Sequence, residues 1–174
     1  YSGSTYAGGS AYFGASVANA GDVDADGVPD AVIGAPGLSF DLGRALLFSA
    51  AAGSLLWSKS AFLTGTGFSA DVSGGGDPNG DGRLEILVAE VSIFGTPTGM
   101  PPPAYAGEVH VYSGFGGSHL FDLTGPMSSG FASCVAGGSD LDLNGKPEIV
   151  VGAPATPDPT GPQIAGSVFV HSIQ

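Results

Sequence analysis

The chain has 174 residues, 43% apolar and 11% charged, a globular composition long enough for one hydrophobic core. Lys and Arg number 4 against 16 Asp and Glu, and the resulting net charge of −12 repels nucleic acid and anionic membrane surfaces. No stretch reaches the roughly 18 apolar residues of a membrane span, since the longest candidate, ALLFSAAAGSLLW, is interrupted by small and polar residues.

Glycine at 31 positions and proline at 13 point to many tight turns, hence to short strands, and no segment sustains the 3.6-residue apolar period of a helix. In chain order, a first strand is expected in FGASVANAG from Phe13, followed by the acidic loop DVDADGVPD at 22–30. A second strand follows in DAVIGAP and a third in GRALLFSA from Gly43. The third alternates, with Leu46 and Phe48 on one side and Ala45 and Leu47 on the other, the period of a sheet. After an AAG turn, GSLLWSKS is the fourth. The order restarts at Phe68 with FSADV, the loop DPNGDGRLE at 77–85, EILVAE, GEVHVYS from Gly107 and GSHLFDLT. It restarts again at Phe131 with FASCV, the loop DLDLNGKPE at 140–148, EIVVGAP and GSVFVHS from Gly166. Spacings of 55 and 63 residues separate Phe13, Phe68 and Phe131, so three diverged copies of one unit fill the chain.

About 55 residues are too few for each unit to hold a core alone. Four-stranded units in tandem are blades that stack face to face around an axis, so the fold expected is all-β, a β-propeller type of domain over 1–174. Its repeats are 13–67, 68–130 and 131–174. The third unit stops after strand three at Gln174, while YSGSTYAGGSAY ahead of Phe13 stands where strand four precedes Phe68 and Phe131. Residues 1–12 are therefore expected to supply the fourth strand missing from the last unit. Three blades cannot easily close a ring, which leaves a homodimer forming a six-bladed ring, or a piece of a longer propeller. No basic segment followed by an apolar run opens the sequence, so a secretion signal is expected to be removed or to lie outside it.

Ten of the 16 acids sit in the three loops. Each loop has Asp first (Asp22, Asp77, Asp140) and Asp or Asn third (Asp24, Asn79, Asp142) and fifth (Asp26, Asp81, Asn144). Glycine is sixth (Gly27, Gly82, Gly145), and an acid is ninth (Asp30, Glu85, Glu148). Side chains one, three and five of such a turn converge, and the glycine supplies the positive φ that bends it. The seventh residue (Val28, Arg83, Lys146) offers its backbone carbonyl, which leaves its side chain free to vary. An all-oxygen set with several carboxylates suits a hard cation, and its flexible geometry suits calcium over magnesium, giving three calcium sites. An EF-hand would need Glu at position twelve and flanking helices, but that position holds Ile33, Val88 or Val151 and the flanks read as strands.

The combination FGASV, DVDADGVPD, AVIGAP resembles the FG-GAP repeat of integrin α-subunit propellers and their bacterial relatives. The match is fullest in unit one, with Phe13–Gly14 and Gly34–Ala35–Pro36. Unit three keeps Gly152–Ala153–Pro154 but has Phe131–Ala132, and unit two has Phe68–Ser69 and Ala89–Glu90–Val91. The resemblance implies calcium in the loop between strands one and two, and a protein or glycan ligand on the opposite face. The loops toward that face are SIFGTPTGMPPPAYA at 92–106 and ATPDPTGPQIA at 155–165, both longer than GLSFDL.

The function expected is a calcium-stabilised, extracellular or cell-surface module for adhesion or protein interaction, with no enzymatic activity, no nucleic acid and no membrane insertion. A carbohydrate-binding propeller, with Trp57, Tyr105 and Tyr112 as the aromatics to watch, and a structural scaffold unit are the alternatives. Catalytic signatures such as G-x-S-x-G and HExxH are absent. His110, His119 and His171 fit no catalytic pattern, and His110 and His171 replace apolar residues of the sister strands. Cys134 aligns with Ser16 and Asp71, has no partner for a disulfide within the chain, and reads as a small, partly buried side chain.

Overall fold

A computed structural model describes residues 12–36, 43–61, 67–91, 106–156 and 165–173. All regular structure among them is β. The first antiparallel sheet has the order β1 (Ser16–Gly21), β2 (Asp30–Ala35), β3 (Arg44–Ser49), β4 (Ser54–Ser60). The second is β5 (Phe68–Gly76), β6 (Glu85–Glu90), β7 (Glu108–Ser113), β8 (His119–Thr124). The third has three strands, β9 (Cys134–Ser139), β10 (Glu148–Ala153) and β11 (Ser167–His171). Each sheet is an up-and-down meander in chain order, the form of a propeller blade. The expected fourth strand from residues 1–12, and most of the long loops 92–106 and 155–165, lie outside the described residues.

Strand alternation determines which side chains meet which sheet. Unit one sends Ala45 and Leu47 toward unit two, where they join Ile86, Val88 and Phe68 in one core. Its other face puts Leu46 and Phe48 beside Ile33 and Phe13. The middle sheet is buried on both sides: Ile86 and Val88 belong to the first core, while Leu87, Ala89, Val109 and Val111 meet Phe131, Ile149 and Val151 in a second. Trp57 is buried and its indole N–H donates to the Gly114 carbonyl at 2.8 Å, tying unit one to unit two. Strand β5 runs between β1 and β9, so the first strands of the three units are neighbours.

The joints between units repeat. A Cβ on Gly43 would strike the Phe68 carbonyl, and one on Gly107 would strike the Phe131 carbonyl, so each glycine is a notch receiving the next unit's first turn. In unit three, the nearest atoms to a Cβ on Gly166 among the described residues belong to Pro154 of its own unit, at 3.4 Å or more. The strand-three positions that are fully buried in units one and two (Ala45, Leu47, Val109, Val111) become Val168 and Val170, which are 67% and 56% exposed. Cys134 lies on this same side of unit three and is exposed rather than partly buried, because among the described residues none covers its sheet there.

Candidate metal-binding loops

The acidic loops link the first two strands of each sheet and share one hydrogen-bonding scheme. In loop one Asp22 accepts from the N–H groups of Asp26 and Gly27 at 3.0 and 2.9 Å, and Asp26 accepts from Val28 at 2.8 Å. In loop two Asp77 accepts from Asp81 and Gly82 at 3.0 and 2.8 Å, Asn79 from Asp81 at 2.8 Å, and Asp81 from Arg83 at 2.9 Å. Asp140 and Asn144 repeat the pattern in loop three, taking N–H groups of Asn144, Gly145 and Lys146. These turns fix the backbone and leave further lone pairs on the same oxygens.

Gly27, Gly82 and Gly145 have φ of 90°, 82° and 92°, as expected of the sixth position. The fourth position is left-handed as well, at Ala25 (62°), Gly80 (74°) and Leu143 (62°). Only loop two carries glycine there, so no shared residue type marks this second bend. Leu143 is held in a conformation that costs an L-residue roughly 1–2 kcal/mol.

The ninth-position acids are the buried ones. Asp30 takes the Val23 N–H at 3.0 Å and the Ala50 N–H at 3.2 Å. Glu148 takes the Leu141 N–H at 2.6 Å and the Ser172 hydroxyl at 3.2 Å. Glu85 has neither: it is fully buried, and among the described residues neither carboxylate oxygen has a hydrogen-bond partner. Burial, with Asp81 and Asp77 adding repulsion, pushes its pKa from 4.5 up to about 8.

Carboxylate oxygens of Asp22, Asp24 and Asp30 lie within 4.8 Å of one another, as do those of Asp140, Asp142 and Glu148. Asp26 stands outside the first trio, and Asp77, Asp81 and Glu85 are not drawn together to that degree. The two cationic seventh residues are engaged elsewhere. The Arg83 guanidinium sits 5.1 Å from the Phe115 ring centroid, and Lys146 donates to the Ile173 carbonyl at 3.4 Å.

Unit two carries a second cluster, which no motif in the sequence marks. His110 and His119, on neighbouring strands, both reach Asp122 at 2.7 Å, and His110 also reaches Glu90 at 2.9 Å. These residues are dispersed along the chain and meet only through the register of β6, β7 and β8.

Residues 13–48 and 131–171 match the FG-GAP repeat family. The chain is also 34% identical over 161 residues to integrin alpha-IIb of Mus musculus, an alignment covering 82% of this chain and 15% of the relative. Integrin alpha-IIb of Homo sapiens matches at the same identity and coverage. The chain thus spans about 15% of the length of these curated relatives. The two matched segments lie in the units that keep the Gly-Ala-Pro sequence at the end of strand two, whereas unit two has Ala89–Glu90–Val91. Three meandering sheets, repeated notches and these matches together show that the chain carries FG-GAP repeats.

Proposed function

We propose that this chain is a calcium-stabilised interaction module of an extracellular or cell-surface protein, in which the ions are structural. The observation that carries the reading is Glu85, a fully buried carboxylate with two unpartnered oxygens at the end of an acid-rich loop. Without an ion this carboxyl must either carry an uncompensated charge, at several kcal/mol, or keep its proton up to about pH 8, and a divalent cation removes both costs. The donor set fits: oxygens only, held on a preformed turn, with both outer loops already gathering three carboxylates.

The residues that would hold the ions are Asp22, Asp24, Asp26 and Asp30 in loop one, and Asp77, Asn79, Asp81 and Glu85 in loop two. Loop three offers Asp140, Asp142, Asn144 and Glu148. Val28, Arg83 and Lys146 would contribute through their carbonyls. Three divalent ions would bring the net charge from −12 to −6. Each bound ion at 100 times its Kd adds about 2.7 kcal/mol to stability, so excess EGTA is expected to lower the melting temperature by many degrees and calcium to restore it. Melting that ignores both additions would overturn the reading.

The similarity to integrin alpha-IIb supports a protein ligand over an enzymatic role. A glycan-binding alternative is less well supported, because Trp57 is buried with its N–H already spent on Gly114. The repeats are taken as 13–67, 68–130 and 131–174, and the exposed Val168 and Val170 support a further blade, from a second copy or a neighbouring repeat, against unit three.

A further inference from the structure

We propose that His110, His119 and Asp122 form a binding site for a divalent transition-metal ion of the zinc class, separate from the acidic loops. Each of the three offers one ligand atom, and these atoms lie within 4.8 Å of one another; the nitrogens that face Asp122 are His110 Nδ1 and His119 Nε2. Both imidazole nitrogens converge on the same oxygen, Asp122 Oδ1, at 2.7 Å each. Two imidazoles and one carboxylate suit zinc and its neighbours, whereas the all-oxygen loops suit calcium.

The surroundings are those of a built site. Glu90 Oε2 lies 2.9 Å from His110 Nε2, the nitrogen that does not face Asp122. A carboxylate on the far nitrogen of a ligating histidine fixes the tautomer, so the proton sits on Nε2 and the lone pair on Nδ1. The Phe68 ring lies 5.5 Å from His110 and the Tyr112 ring 5.5 Å from His119, which restrains both imidazoles. The three ligands line one cleft of about 490 Å³ between units one and two, together with Glu90, Glu108 and Lys59. Three carboxylates against one lysine leave that cleft electronegative. His110 is largely covered, while His119 and Asp122 are 47% and 38% exposed, giving an ion a route in. Three protein ligands leave zinc's fourth position for water or an oxygen ligand from the cleft.

Comparison with unit one isolates the feature. The β pairing Ile33–Leu46–Ser58 of the first sheet corresponds to Val88–His110–Asp122 in the second, and Phe48–Leu55 corresponds to Tyr112–His119. Glu90 stands where unit one has Ala35. Four positions occupied by Ala35, Leu46, Leu55 and Ser58 in one unit thus carry Glu, His, His and Asp in the next. Sheet packing alone does not require them, since unit one builds the same sheet without them.

The test titrates the full chain with zinc in saturating calcium, so that the acidic loops are occupied and failure of the calcium reading is scored separately by EGTA melting. One zinc per chain by calorimetry, and a visible absorption band with cobalt(II) in its place, are expected. His119→Ala, on an exposed strand position, should abolish the band and weaken zinc binding at least ten-fold. Glu90→Gln, which removes the support and not a ligand, should weaken it by about 10–100-fold. No zinc uptake by the native chain, or uptake unchanged in both variants, would mean a hydrogen-bonded triad only and would overturn the proposal.

Discussion

Gly14, Ser69 and Ala132 follow the three repeat phenylalanines, and all have left-handed φ, at 84°, 61° and 66°. That conformation is why the repeat favours glycine there, and why its replacements need compensation. Ser69 has one: its hydroxyl accepts the Ala35 N–H of the preceding unit at 3.1 Å. Ser69→Ala should therefore destabilise the chain by about 1–3 kcal/mol, because it keeps the backbone cost and strands a buried N–H, as urea unfolding would measure. Glu85 offers a second test at this scale. Its carboxyl titrates at 4.5 when unfolded and at about 8 when folded, so the ion-free folded chain holds the extra proton between those limits. Stability in EGTA should fall as pH rises from 4.5 to 8, and Glu85→Gln should flatten that fall while removing the calcium response of loop two.

Among the elements, the notches make the sharpest comparison. Gly43 and Gly166 are equivalent and have nearly the same φ, 73° and 71°, but only Gly43 faces another unit's backbone. Alanine at either position meets the same backbone penalty of about 1 kcal/mol. Gly43→Ala must also push Phe68 away, and should cost a further 1–3 kcal/mol or so by overpacking; equal losses of melting temperature in the two variants would count against the notch. The strands themselves were legible: alternation in GRALLFSA placed Leu46 and Phe48 opposite Ala45 and Leu47, and the structure puts those pairs in different cores. The sixth-position glycines were legible too. The left-handed Ala25 and Leu143 were not, because neither side chain advertises that backbone. Nor was the meeting of Glu90, His110, His119 and Asp122, which depends on how three strands are registered.

For the molecule as a whole, the middle unit bears both joints: β6 contributes to each of the two inter-unit cores, and among the described residues no core cluster joins unit three directly to unit one. The side of unit three that bears Val168 and Val170 repeats the surface used at both internal joints. Under the proposal that a second copy covers this side, Val168→Asp with Val170→Asp should reduce the mass in solution to that of a single chain and lower the melting temperature by what association adds; a native chain already at single-chain mass would count against a second copy there. Such a surface pairs unlike with unlike, the notch of one unit against the leading turn of another. Head-to-tail contacts of this kind have two geometric outcomes, a ring when the successive rotations sum to a full circle and an open fibre when they do not. The angle between adjacent sheets thereby decides whether growth is self-limiting, and a small change at Gly43 or Gly107 would be multiplied at every step around the axis.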